Sequence, residues 1–241
     1  MSEIPLSLII PAYQEELRIA DTVKALSAYL QEHFSGAEII LVCDGCTDNT
    51  AKVAAEAFQS TNCQLKIIEL ETNKGKGNAI KTGIAEAKGD YLVFTDADLS
   101  FAPEIIGEQF LPKLKAGADV VIAQRNKKAA YPSIVRRMLA QCSRFFVGNI
   151  LLPGIRDTQA GYKGFTQRAG QELFARIRTT RFLFDLEILL IARRKNYKIE
   201  KVYVAWQDKP GSTIRLVPDL LRCSRDLLII YTGFLLAKYD K

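Results

Sequence analysis

"YLVFTDADLS" (91–100) is an apolar run that closes on Thr95, followed by two carboxylates, Asp96 and Asp98, with one residue between them. A short β-rich run bounded by polar residues reads as a buried strand that stops at a polar edge. Side chains at i and i+2 of an extended segment point the same way, so the two acids converge on one ion if strand geometry persists past Thr95. Hard carboxylate oxygens suit Mg²⁺ or Mn²⁺, and Mg²⁺ is commonly held by one or two carboxylates plus substrate phosphates. A solvated turn is the alternative, and the D-x-D spacing alone does not separate the two.

Working outward, "LSLII" (6–10), "EIILV" (38–42), "LKIIEL" (65–70) and "DVVIA" (119–123) read as further buried strands, with helical patterns near 21–33, 48–59, 77–88 and 103–115. Strand and helix alternating in this way predict an α/β fold with a mostly parallel, doubly wound sheet. In such sheets ligands sit beyond the carboxyl ends of the strands. The segments there are "PAYQEE" (11–16), "CDGCTDNT" (43–50), "TNKGKGNA" (72–79), "DADLS" (96–100) and "QRNKK" (124–128). Acids after one strand and bases after another suit a polyanion together with a metal.

In "DGCTDNT", Thr47 or Asp48 is placed to cap a helix, whereas Asp44 precedes the cap and is expected to hydrogen-bond a ligand base. "NKGKGNAIKTGI" (73–84) runs glycines and lysines into a helix. It would hold a phosphate through backbone N–H groups and the helix N-terminus, or be a Gly-relaxed turn with a solvated basic face. It matches neither G-x-x-x-x-G-K-[ST] nor G-x-G-x-x-G, which argues against a P-loop NTPase and a dinucleotide oxidoreductase.

The second half is less regular: a basic helix near 131–150, a turn-rich "GIRDTQAGYKGF" (154–165), a helix from about 184 to 195, a strand "IEKVYVAW" (199–206) and a C-terminal amphipathic stretch. With 241 residues, 48% hydrophobic, and no linker or repeat, a single domain over 1–241 is expected. The N-terminal "MSEIPLSLIIPAY" has no signal-peptide pattern, and the five cysteines read as reduced thiols of a cytosolic protein. Cys43 and Cys46 form a C-x-x-C, either a redox pair or small residues in a turn; with His33 as the single histidine, a structural zinc site is not expected.

The net charge of +6 calls for an anionic partner: nucleotide, phospholipid surface or nucleic acid. No recognition motif or interleaved basic and aromatic stripe supports nucleic acid. Near the C-terminus about eleven largely apolar residues, Leu227 to Ala237, fall short of the roughly 20 that span a bilayer. Flanked by Arg222, Arg225, Lys238 and Lys241, they would lie in a membrane interface, pack on the domain or form a dimer contact.

"SLIIPAYQEE", "EIILVCDGCTDNTA", "NKGKGNAIKTGI", "YLVFTDADLS", "DTQAGYKGFT" and "FLFDLEILLIARRKNYKIEKVYVAW" stand in one order over nearly the whole chain. Together they resemble the inverting glycosyltransferases of family 2, above all the polyprenyl-phosphate (dolichyl-phosphate) glucosyl- and mannosyltransferases. The resemblance implies a GT-A fold, Rossmann-like, with a donor half at about 1–125, an acceptor half at about 126–215 and the amphipathic segment at 216–241. It implies a nucleotide-sugar donor, a polyprenyl phosphate acceptor and Mg²⁺ or Mn²⁺. Carried over by position, Pro11, Ala12, Tyr13 and Glu15 would line the nucleotide pocket, Val42 and Asp44 would contact the base, and Lys76 would join the donor site. Asp96, Ala97 and Asp98 would hold the ribose and the metal; Arg125 would lie near the donor and acceptor phosphates and join Asp98 in catalysis by stabilising the leaving charge, and Arg136 or Arg137 would also meet the acceptor phosphate.

The departures from the family pattern are informative. Cys43 and Cys46 stand at the first Asp and the Ser of D-D-G-S-T-D, which removes most support for a redox pair. Ser100 replaces a Gln common in the mannosyl enzymes, and Thr213 replaces a frequent Lys, with Arg215 nearby. "DTQAGYKGF" and "RFLFDLEILLIA" look more like the glucosyl branch, favouring UDP-glucose over GDP-mannose. Asp185, opening "FDLEILLIA", is the candidate base if the acceptor is a saccharide hydroxyl, or else a helix acid interacting with the macrodipole. The non-enzyme alternative is a nucleotide-sugar-binding scaffold. The expected location is cytoplasmic, peripheral on the cytoplasmic face of a membrane.

Overall fold

Alternate residues of each central strand are buried on opposite sides of one sheet, which is why the apolar runs are continuous rather than alternating. The computed structural model describes residues 5–125, 151–155, 157–181, 183–204, 216–236 and 238–239, with backbone alone for 216–223. Strands β1 (Leu6–Ala12), β2 (Glu38–Asp44), β3 (Gln64–Leu70), β4 (Tyr91–Phe94), β5 (Val120–Arg125), β6 (Lys163–Thr166) and β7 (Ile199–Val204) form a seven-stranded sheet in the order β3-β2-β1-β4-β6-β5-β7. The β1–β2, β1–β4, β2–β3 and β5–β7 pairs are parallel, and β6 runs antiparallel to both β4 and β5.

The chain lays β1, β2 and β3 outward, then returns to place β4 on the other side of β1. The crevice beyond the ends of β1 and β4 is therefore the topological switch point, the position where doubly wound sheets bind ligands. Sequence reasoning missed β6, whose residues were assigned to a turn-rich segment.

Helices α1 (Ile19–His33), α2 (Thr50–Ala57) and α4 (Leu111–Lys115, after a π-helical turn at Ile106–Phe110) cover one face; Leu8, Ile10, Leu41 and Val93 meet Val23, Leu26, Ala54 and Leu114 in that core. α3 (Lys76–Glu86), α5 (Gln167–Arg176) and α6 (Phe184–Arg194) cover the other, over Ile9, Ile40, Val42 and Phe94. α1 buries Ile19, Val23, Leu26 and Leu30, the three-to-four spacing of one helical stripe. Phe94, Phe165 and Phe174 pack with ring centroids 5.6–6.3 Å apart and fix β4, β6 and α5 together. The final helix, α7 (Leu216–Leu235), is longer than the apolar run that announced it. Among the described residues no helix is long and apolar enough to cross a membrane.

Candidate active site

The loop after β1 is sewn to the start of α2. Gln14 adopts a left-handed backbone (φ 56°), its Nε2 donates to Thr47 Oγ1 (2.9 Å), and its Oε1 accepts from the Thr47 N–H (2.8 Å). Asp48 accepts from the Glu16 N–H (3.2 Å) and the Thr50 N–H (3.1 Å), so it caps α2 from the residue before the formal N-cap, Asn49. Tyr13 is left 52% exposed. Glu15 is half-buried in a bidentate pair with Arg18 (2.8 and 3.0 Å). Burial raises the Glu15 carboxyl above its ordinary range; Arg18 opposes this, while Asp98 and Asp96 reinforce it. Acids from the loops after β1 and β4 thus sit within electrostatic reach of one another across the switch point.

The loop after β4 is held just as closely. The Thr95 N–H still donates to Ile9 O (3.1 Å), but the ladder goes no further, and Leu99 turns the chain through a left-handed backbone (φ 52°). The acids are therefore aimed by a hydrogen-bonded turn and not by the pleat. Asp98 Oδ1 accepts from the Ser100 N–H (3.0 Å) and Oγ–H (2.6 Å), and Thr22 of α1 donates to Ala97 O (2.7 Å). Ser100, which replaces the Gln common in the mannosyl enzymes, orients Asp98.

Asp96, 30% exposed at its side chain, accepts from Lys76 Nζ. Burial lowers the pKa of Lys76, but Asp96, Asp185 and Asp98 outweigh it and hold the ammonium above its ordinary range. Gly161 lies against Asp96: a Cβ there would overlap the carboxylate. Because β6 is antiparallel, the residues before it, not after it, reach this edge of the sheet. A search confined to residues following strands passes over Gly161 for that reason.

Behind this edge is a sealed layer. Asp185, in the first turn of α6, is 5% exposed and its Oδ1 accepts from Lys163 Nζ (2.5 Å). Lys163 also donates to Ala160 O (2.8 Å) and lies 5.3 Å from the centre of the Phe94 ring. Burial raises the Asp185 carboxyl and prevails over Lys163 and Lys76, which lower it. Glu187, fully buried, accepts from the Arg178 N–H (2.9 Å), the Thr179 N–H (2.8 Å) and Tyr239 Oη–H (2.5 Å).

Several expected contacts are redirected. Asp44 is 3% exposed, and its two oxygens accept from the Lys74 (2.9 Å) and Gly75 (2.7 Å) N–H groups. It fastens the glycine-rich loop rather than presenting itself to a base, and the amides expected to cradle a phosphate are occupied by this internal anion. Gly75 is obligatory: its φ is 106° and a Cβ would meet Thr180 O at 2.5 Å. Val42 is fully buried in the core, so its side chain faces no ligand; Pro11, Ala12 and Ala97 are buried too. Cys43 is sealed, its thiol pushed up to about 12 by burial and then by Cys46, which leaves no reactive thiolate at Cys43. Arg125 is clamped to Asp157 (Nε–Oδ2 2.5 Å, Nη2–Oδ1 2.9 Å). Arg136, Arg137, Thr213 and Arg215 lie outside the described residues.

The arrangement suits a divalent cation. Asp96 and Asp98 offer hard oxygens, and the Lys76 ammonium already sits on Asp96 as a cation would. Among the described residues no cluster of three His, Cys, Asp or Glu forms a closed cage. Two carboxylates at an open edge match the way Mg²⁺ and Mn²⁺ share their shells with phosphate and water.

Residues 7–174 match the family described as Glycosyl transferase family 2. The dolichyl-phosphate beta-glucosyltransferase of Saccharomyces cerevisiae is 32% identical over 259 residues, 98% of this chain and 77% of that protein. Its counterpart in Homo sapiens is 31% identical over 95% of this chain and 76% of that one. Among solved structures, glucosyl-3-phosphoglycerate synthase from Mycobacterium tuberculosis, in complex with Mn²⁺, UDP-glucose and phosphoglyceric acid, superposes with a TM-score of 0.71 at 18% identity over 98% of this chain and 80% of that one. Mannosyl-3-phosphoglycerate synthase from Rubrobacter xylanophilus gives 0.72 at 18%, over 99% of this chain and 76% of its own. The sheet with its switch-point acids is a GT-A fold, and the chain belongs to glycosyltransferase family 2.

Proposed function

We propose that this glycosyltransferase moves glucose from UDP-glucose to a dolichyl-type polyprenyl phosphate with inversion at the anomeric carbon, using Mg²⁺ or Mn²⁺, at the cytoplasmic face of a membrane. The observation that carries the reading is the switch-point crevice, where Asp96 pairs with Lys76 and Asp98 lies within electrostatic reach of both Lys76 and Glu15. The names of the relatives supply the lipid phosphate and the glucose; a structural neighbour was solved with Mn²⁺ and UDP-glucose.

The barrier in such a transfer concerns negative charge growing on the departing nucleoside diphosphate. A divalent ion on Asp96 and Asp98 supplies Lewis-acid stabilisation of that charge. Lys76, held protonated by three carboxylates, is a fixed positive charge at the same edge and acts on the same developing charge. Ser100, Thr22 and Gly161 orient the two acids before substrate arrives. A phosphomonoester with a second pKa of about 6 is mostly dianionic at pH 7 and needs no strong base to attack. The commitment of Asp185 to Lys163 favours such an acceptor over a hydroxyl, because the only acid on α6 near the crevice is already ion-paired.

The test is thin-layer analysis of lipid extracts after incubation with radiolabelled UDP-glucose or GDP-mannose, with polyprenyl phosphate, with and without Mn²⁺. Metal-dependent glucose label in the lipid is the expected result. Label from GDP-mannose alone, or none in lipid, overturns the assignment.

A further inference from the structure

The described part of α7 has two unlike sides. One is packed: Ile230 is 4% exposed, the Phe234 ring packs tilted against Tyr239 (centroids 4.7 Å), and a Cβ on Gly233 would meet the Tyr239 ring at 2.6 Å. Tyr239 then donates to Glu187 of α6 (2.5 Å), and Arg194 of α6 lies 5.6 Å from the centre of the Phe234 ring. The helix is thereby bolted to the short helix that also carries Asp185.

The other side carries Leu227, Leu228, Tyr231 and Leu235, followed by Leu236, exposed by 46, 62, 62, 65 and 63%. Their spacing puts the four helical ones on a single arc of about 100°. Exposed large apolar residues are scarce elsewhere among the described residues: Tyr13 and Leu17 in the loop between β1 and α1, and Tyr203 on β7, are the others. A contiguous stripe of this kind marks an interaction surface rather than ordinary surface scatter. Two exposed cations bracket it, Arg225 and Lys238; the nearest acid among the described residues, Asp226, is partly buried and within electrostatic reach of Arg225, Glu187 and Arg181.

We infer that this stripe is a docking surface for an anionic bilayer, into which the four helical side chains and Leu236 insert while Arg225 and Lys238 meet lipid phosphates. An apolar face rimmed by cations is the pattern of interfacial helices, which bind by buried apolar area plus attraction to anionic headgroups. A protein partner would not require the cationic rim. The inference rests on the lipid-acceptor reading above and gives it a geometry: the bolt through Tyr239 and Glu187 ends at Thr179, next to Thr180, whose carbonyl accepts from Asn78 N–H on α3 (3.2 Å). The helix that meets the bilayer is thus tied to the helix that carries Lys76.

The test uses the full chain and vesicles of phosphatidylglycerol and phosphatidylcholine without polyprenyl phosphate or sugar donor. Co-sedimentation should rise with phosphatidylglycerol content and fall with salt. The Leu228→Ser/Leu235→Ser variant should bind on the order of tenfold or more weakly, with an unchanged melting temperature and unchanged transfer to a short, water-soluble prenyl phosphate. Should that variant fail to fold, Tyr231→Trp in the otherwise unaltered chain gives a second readout, a blue-shifted emission when vesicles are added. Wild-type protein that stays in the supernatant at every phosphatidylglycerol content overturns the inference. So does a dimer in light scattering that the double substitution makes monomeric. Transfer to lipid phosphate that persists without vesicle binding would sink the docking surface and leave the proposed function standing.

Discussion

Asp44 ends β2 and Asp96 follows β4, the strands on either side of β1, yet their surroundings differ completely. Asp44 is 3% exposed and spends both oxygens on backbone amides of the glycine-rich loop. Asp96 is 30% exposed at its side chain and faces a lysine. Neutral backbone donors make a carboxylate a fastener, whereas a lysine side chain at an open edge leaves one that can exchange partners. The same contrast separates the buried Asp185–Lys163 pair from Asp98, whose turn only orients it. Burial and kind of partner, not strand position, distinguish the buried acids from those at the open edge.

The contrast breaks or sharpens at four places. Lys163→Met should be the most damaging, destabilising the fold by about 3–5 kcal/mol because it strands the Asp185 charge in the interior. Adding Asp185→Leu should recover most of that loss in a urea titration; a double variant no better than the single one would remove the ion pair from the explanation. Asp98→Ala should lower kcat on the order of 10²–10³-fold while shifting the melting temperature little. If activity survives, or if the protein melts as it does for a core substitution, the open edge has been misassigned.

Asp44→Ala should show the opposite profile, a loss of about 1–3 kcal/mol from two amides left without an acceptor, with a smaller effect on turnover. The mildest expectation concerns the thiols on the sealed side. Burial pushes Cys43 up to about 12 and Cys63 up to about 11 from an ordinary value of 9.0. Both stay protonated at pH 8, so a disulfide reagent should modify them only slowly until the protein unfolds. Their contribution to stability is complete below pH 9 and disappears as pH rises through 11 to 12, because the unfolded chain releases these protons first. Rapid labelling of the folded protein at pH 8 would contradict the burial of these sites.

The parallel strands were legible because strands covered on both faces must be continuously apolar, and the switch-point loops followed from their order. β6 was not legible: its four residues, "KGFT", include a lysine and a glycine and read as a turn. Nothing local announces that Lys163 is buried, since its partner lies 22 positions further on. α5 was missed for a related reason, as it buries only Ala169, Gly170, Leu173 and Phe174 along an otherwise polar run. The placement of Asp96 and Asp98 at the open edge was legible in their position after a strand. The fate of Asp44 was not, because a backbone amide that will arrive from another loop leaves no mark on a sequence.

The antiparallel strand also constrains the order in which the molecule can be assembled. β5 bonds only to β6 and β7, and β6 is what joins it to β4. A nascent chain that has emerged only as far as Arg125 therefore holds a strand with no neighbour to zip against. The half of the sequence with the most recognisable nucleotide chemistry is not a folding unit, and a fragment cut there should aggregate rather than bind donor.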